Sequence, residues 1–187
     1  MTIVSRPWSS DDDDFDGYDG FEPSHLPGPG PFLDGHDVLT GADHAAFHRL
    51  TRAAFEARRV YDVTFGYNLA RLNLDTRHPG AGYRYAVDAG DPSVLRAEFT
   101  PTTAFCPQSD TLVTASFRAW NADDAGLSHE FDLVRVRVAP MHESSAHINR
   151  RLVELEGTAR ESGDVDGATT ESDPDRDAAA DGPAAPF

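Results

Sequence analysis

Cys106 is the single cysteine of the chain, and it stands directly before Pro107, where a short alternating run ends and an apolar helical stripe begins. Proline suits the first position of a helix, because its missing N–H would have had no intrahelical partner there, so the spacing predicts a helix opening at Pro107 with Cys106 as its cap. A thiol at that point faces unpaired backbone N–H groups and the positive end of the helix dipole, both of which favour thiolate. Such a sulfur is a soft metal ligand or a nucleophile, whereas a lone cysteine elsewhere is more often a small buried hydrophobe. Thr102 and Gln108 bring hydrogen-bonding groups to the same stretch. Asp110, in the expected first turn, complements the dipole or adds a hard ligand. His142, at a turn before the last expected helix, reaches Cys106 if the two helix starts adjoin, with His147 five residues on. A Cys/His pair suits metal or cluster handling and nucleophilic chemistry alike. His44 and His48 have the spacing of a helical two-histidine metal site, but no glutamate follows His44 in the His-Glu-x-x-His sense. They are expected as surface or cap histidines. With one cysteine, no intramolecular disulfide or Cys-x-x-Cys site exists, and a four-thiolate cluster needs a partner chain.

These residues need elements to hold them. Leu95, Ala97 and Phe99 alternate with Arg96, Glu98 and Thr100, the pattern of a half-buried strand that Pro101 ends. Leu112, Val113, Ser116, Phe117 and Trp120 then recur at helical spacing, and Asn121 to Gly126 stops that helix. Upstream, a helix starts near Gly41, with Phe47, Leu50, Ala54 and Tyr61 on its covered face; Tyr83, Tyr85 and Val87 mark another strand. Downstream, Phe131 to Val138 is a strand with Val134, Val136 and Val138 on one face and Arg135 and Arg137 on the other. Two arginines on one strand face predict solvent there. Ser144 caps a last amphipathic helix carrying Ala146, Ile148, Leu152 and Leu155. The order helix, strands, helix, strand, helix predicts an α+β fold, a small mixed sheet covered by helices.

The 187 residues, 39% of them hydrophobic, suit one domain with flanks. The net charge is −16, and all sixteen basic residues are arginine. Residues 1–40 carry nine acids against Arg6, and residues 158–187 carry eight against Arg160 and Arg176. Acidic runs mixed with proline and glycine predict disordered tails over 1–40 and 158–187 around a domain at 41–157. A lysine-free acidic composition predicts a salt-loving, haloarchaeal host, where screening mutes self-repulsion. No run of about 18 apolar residues exists and the first residues lack a signal peptide's apolar centre, so a soluble cytoplasmic protein is expected.

Glu98 to Leu112, with Cys106-Pro107 at its centre, resembles the strand, cysteine and helix of the MIP18 family (domain of unknown function 59), the iron–sulfur cluster assembly domain. Val60 to Leu72 resembles that family's Asp-Pro-Glu turn and Asn-Ile-x-x-Leu segment, with Asp62-Val63-Thr64 replacing the former. Val136 to Leu152, through Pro140, His142 and His147, is similar to its last strand and helix. The resemblance implies the family fold over residues 43 to about 156. It implies a non-enzymatic assembly or targeting factor that delivers clusters to client proteins, partnered by an assembly ATPase or scaffold, with a homodimer as a further arrangement. An iron–sulfur cluster would be held transiently or at a shared interface, with Cys106, Asp110 and Thr102 as its contacts and Cys106 and His142 as metal ligands. No nucleic acid and no membrane are expected as partners. The alternatives are an accessory subunit of a multicomponent oxygenase, like the related phenylacetate-degradation subunit, and a Cys/His thiol enzyme.

Overall fold

The computed structural model describes residues 23–74, 77–122 and 129–166. Along the chain come β1 (Asp37–Val38), α1 (Gly41–Arg58), the hairpin strands β2 (Tyr61–Asp62) and β3 (Tyr67–Asn68), a 3-10 turn Leu69–Leu74, β4 (Gly82–Val87), β5 (Val94–Thr100), α2 (Ser109–Asn121), β6 (Leu133–Val138) and α3 (Ser145–Ser162). The four-stranded sheet has the order β1-β4-β5-β6. β1 and β4, and β4 and β5, run antiparallel; β5 and β6 are parallel, joined through α2. A mixed α+β sheet with helices is therefore present, as the alternation patterns predict.

The register aligns the apolar positions. Tyr83 faces Phe99, Tyr85 faces Ala97, and Val136 and Val138 lie beside Ala97 and Phe99. Because side chains alternate with period two, this puts one continuous apolar face under α1 and α2. Trp120 of α2 sits at its centre, with its ring centroid 4.9 Å from those of both Phe55 and Tyr83. Phe47 of α1 meets Tyr85 edge-on at 4.8 Å. Such offset and edge contacts are the favoured aromatic geometries.

Three asparagines complete backbone groups that the sheet leaves open. Asn121 accepts from Val134 N–H at 2.8 Å and donates to its carbonyl at 2.9 Å. Asn149 does the same for Val138 at 2.8 and 3.0 Å, so two carboxamides stand in for a fifth strand along the free edge of β6. Asn73 pairs with Tyr83 in the same way, at 2.6 and 2.8 Å. It approaches so closely that a Cβ at Gly82, where φ is 109°, would overlap its carboxamide.

The second sheet face departs from expectation. Arg135 and Arg137 are not open to solvent: Glu156 of α3, only 3% exposed, binds Arg135 Nε at 2.5 Å and Arg137 at 3.0 Å. Arg96 binds Asp88 at 2.6 Å, and the guanidinium groups of Arg96 and Arg137 lie 4.8 and 5.1 Å from the Phe32 ring. Glu98 is 2% exposed and receives the N–H groups of Gly30 and Phe32 at 2.6 and 3.2 Å. The face is thus a buried ionic layer, closed by α3 on one side and by residues 24–38 on the other.

The domain limits shift accordingly. Within the expected tail 1–40, Leu33 is 1% exposed and β1 pairs with β4, so the stretch from Ser24 to Thr40 belongs to the domain. At the other end α3 runs to Ser162, and Arg118 donates to the carbonyls of Val165 and Asp166, past the expected limit at 157. The remainder of both expected tails lies outside the described residues. So does most of the Asn121–Gly126 stop; α2 itself ends at Asn121.

Candidate functional site

The stretch around Cys106 folds differently from a capped helix start. Residues 103–109 form two successive turns, Cys106 N–H to the Thr103 carbonyl at 3.4 Å and Ser109 N–H to the Cys106 carbonyl at 3.3 Å, and α2 begins only at Ser109 with Gln108 in the cap position. Cys106 is therefore three residues upstream of the helix instead of at its cap. Pro107 explains the extra turn: it disfavours α geometry in the residue before it, so the helix cannot run back through Cys106. Gln108 makes no capping bond with its side chain, which instead donates to Thr64 Oγ1 of the β2–β3 turn at 2.9 Å.

Cys106 is half-buried on the wall of a cleft of about 290 Å³ whose other walls include Phe105, Asp110, Glu143 and His147. From sequence, His142 reaches Cys106 only if the two helix starts adjoin; the two are neighbours, yet the contact is to the backbone. His142 Nε2–H donates to the Cys106 carbonyl at 3.0 Å and Nδ1 accepts from Ser144 N–H at 3.1 Å, which assigns the tautomer. With both ring nitrogens committed, His142 does not complete a ligand set or a nucleophile and base pair with the sulfur; it ties the Cys106 turn to the start of α3. The Glu143 N–H to Ala104 carbonyl bond, 3.0 Å, ties the same two loops. Asp110 lines the cleft but pairs with Arg151 of α3. Thr102 sits in a bend ahead of these turns and is not part of the cleft wall. Among the described residues, no group of three or more His, Cys, Asp or Glu side chains is placed to hold a metal ion.

His44 and His48 are not surface residues. They are 0% and 1% exposed, with stacked rings 5.6 Å apart. Burial lowers the His44 pKa to about 3, helped by His48 and the Arg84 charge. Burial likewise lowers that of His48 to about 4 against the bond to Ala70. Neutral His48 donates from Nε2 to the Ala70 carbonyl at 2.8 Å and takes the Tyr85 hydroxyl on Nδ1 at 2.8 Å. Thr51, within 3.1 Å of that hydroxyl, accepts from Trp120 Nε1–H at 3.1 Å. His48 thus serves a buried polar network that pins α1 to the sheet and to α2, with the His44 ring stacked against it.

A second concavity was not anticipated. His48, Arg52 and Glu56, one turn apart along α1, face Tyr61, Tyr67 and Arg71 across a cavity of about 250 Å³. The i, i+4, i+8 spacing of His48, Arg52 and Glu56 was available in the sequence, but which face of α1 meets the hairpin was not.

Fold and clefts together define a mixed-sheet α+β domain, and the Cys106 cleft and the α1–hairpin cavity differ in chemistry. The sequence matches the family described as Domain of unknown function (DUF7998) over residues 13–166, and the chain belongs to that family. This overturns the MIP18 resemblance, whose three blocks correspond here to a hairpin with its 3-10 turn, to a strand, double turn and helix, and to a strand and helix. Each is a common local pattern, and Cys-Pro at a turn is explained by backbone preference alone. No curated protein and no solved structure matches the chain. No helix among the described residues is long and apolar enough to cross a membrane.

Proposed function

We propose that the domain is a non-enzymatic binding module that engages a partner protein across the cleft at Cys106. One observation carries this reading. Of the four large hydrophobic side chains exposed among the described residues, two, Phe105 at 70% and Met141 at 45%, stand on the two loops that His142 and Glu143 tie together beside the thiol. Single exposed apolar residues need no explanation, but an aromatic and a thioether on tethered loops flanking a cleft form an anchor of the kind partners bury. Against a Cys/His thiol enzyme, the histidine that would serve as base spends both nitrogens on backbone groups. Delivery of an iron–sulfur cluster to a client is the finer form of the reading, and the half-buried thiol on the cleft wall is what supports it.

The test places a cleavable photocrosslinker on Cys106 of the full chain and illuminates it in extract of the native host at its own salt. A discrete adduct is expected, with its yield reduced about fivefold or more in Phe105→Ser, the effect of losing roughly 1 kcal/mol at an anchor. Equal yields with and without Phe105 would overturn the docking reading. Iron analysis of the uncrosslinked complex, captured by affinity from the same extract, decides the finer form: iron present with Cys106 intact and absent in Cys106→Ser supports cluster delivery, and iron absent from both removes it.

A further inference from the structure

The cavity between α1 and the β2–β3 hairpin lies apart from the Cys106 cleft, and its walls carry both signs of charge. Arg52 and Glu56 project from successive turns of α1, and Arg71 stands within the 3-10 turn with its guanidinium 5.8 Å from the Tyr67 ring centroid. Glu56 Oε2 is fixed by the Tyr61 hydroxyl at 2.7 Å and by Asn68 Nδ2 at 3.3 Å; Asn68 also donates to the Arg52 carbonyl at 2.9 Å. The hairpin is itself held: Asp62 Oδ1 accepts from Thr64 and Phe65 N–H at 2.7 and 3.2 Å. Glu56, Tyr61 and Asn68 are therefore positioned by bonds to the scaffold, which lowers the ordering cost of binding at the carboxylate. The floor is neutral His48, whose ring is locked on both nitrogens.

At about 250 Å³ the cavity is below the usual range of drug-sized pockets, roughly 300–1,000 Å³, and takes only a small molecule. Two guanidinium forks suit a planar carboxylate, and the Glu56 carboxylate, one turn along α1 from Arg52, suits an ammonium. A simple anion such as phosphate would meet Glu56, and a simple cation would meet two arginines. We propose that this cavity binds a small zwitterion of the α-amino acid class, its carboxylate between Arg52 and Arg71 and its ammonium at Glu56. Tyr67 and Leu74 then border the amino-acid side chain.

The experiment is calorimetric titration of the full chain with each of the common amino acids, and with acetate, ethylamine and inorganic phosphate. At least one amino acid should bind saturably with a dissociation constant below about 1 mM. Arg52→Gln and Arg71→Gln should each weaken it about tenfold or more, as loss of a charge-assisted contact does. Glu56→Gln, which keeps an acceptor for Tyr61, should weaken the amino acid and leave acetate unaffected. Cys106→Ser should change nothing, so this site stands or falls apart from the docking cleft. No amino acid binding up to about 10 mM would overturn the proposal. So would binding indifferent to all three substitutions, or acetate or phosphate binding as tightly as the best amino acid.

Discussion

His44 and His48 show how burial changes what a residue does. Their folded-state pKa values, about 3 and about 4, lie below the ordinary 6.5, so the unfolded chain takes up protons that the folded chain refuses. Stability is then fully present above pH 6.5 and is lost as pH falls toward 4, with each group contributing a slope of up to about 1.4 kcal/mol per pH unit. Chemical denaturation at pH 7, 6, 5 and 4 should show this fall, and His48→Gln should flatten it by about one proton. An unchanged slope would mean that other groups carry the acid sensitivity. His48→Ala should cost about 2–4 kcal/mol at neutral pH, because it leaves a cavity and strands the Ala70 carbonyl and the Tyr85 hydroxyl. Cys106 contrasts with them: half-buried on a cleft wall, its replacement by serine should leave the melting temperature within about 3 °C.

At the level of elements, the ionic face of the sheet sets the largest expected effects. Residues 24–38 contribute Leu33 to the interior, Phe32 to two guanidinium groups and two N–H groups to the carboxylate of Glu98. Deleting residues 1–38 removes all of these and leaves Glu98 facing water it was folded away from. A loss of about 3 kcal/mol or more is expected, on the order of 10 °C by thermal melting, with Leu33→Ala alone giving about 2 kcal/mol or more. A truncated chain that melts with the full one would show that this segment only rests on the sheet. Glu156→Gln tests the other side of the layer: removing the carboxylate between Arg135 and Arg137 leaves two partly buried cations, and a cost of about 3 kcal/mol in denaturant unfolding is expected. The carboxamides of Asn121 and Asn149 belong to the same scale, since either changed to Ala would uncover both backbone groups of one β6 residue.

For the whole molecule, the net charge of −16 dominates. Raising salt from about 0.1 M to about 1 M shortens the screening length from roughly 10 to 3 Å, so long-range repulsion fades while the buried pairs are little affected. The melting temperature should therefore rise with potassium chloride; a flat or falling response would show that charge repulsion is not what limits the fold. Sequence alone determined the strands and helices of the core, because alternating Leu95, Ala97 and Phe99 and the stripe from Leu112 to Trp120 each encode their own period. It also determined the mixed α+β class, while the proximity of His142 to Cys106 stayed conditional on two helix starts adjoining. Only the tertiary structure decided that the arginine face is covered, that His44 and His48 are interior, that residues 24–40 belong to the domain, and that His142 binds a carbonyl instead of the sulfur. The physical reason is common to all four. Each depends on which surface meets which between residues 19 to 68 positions apart, and a local period states that a face exists without stating what covers it.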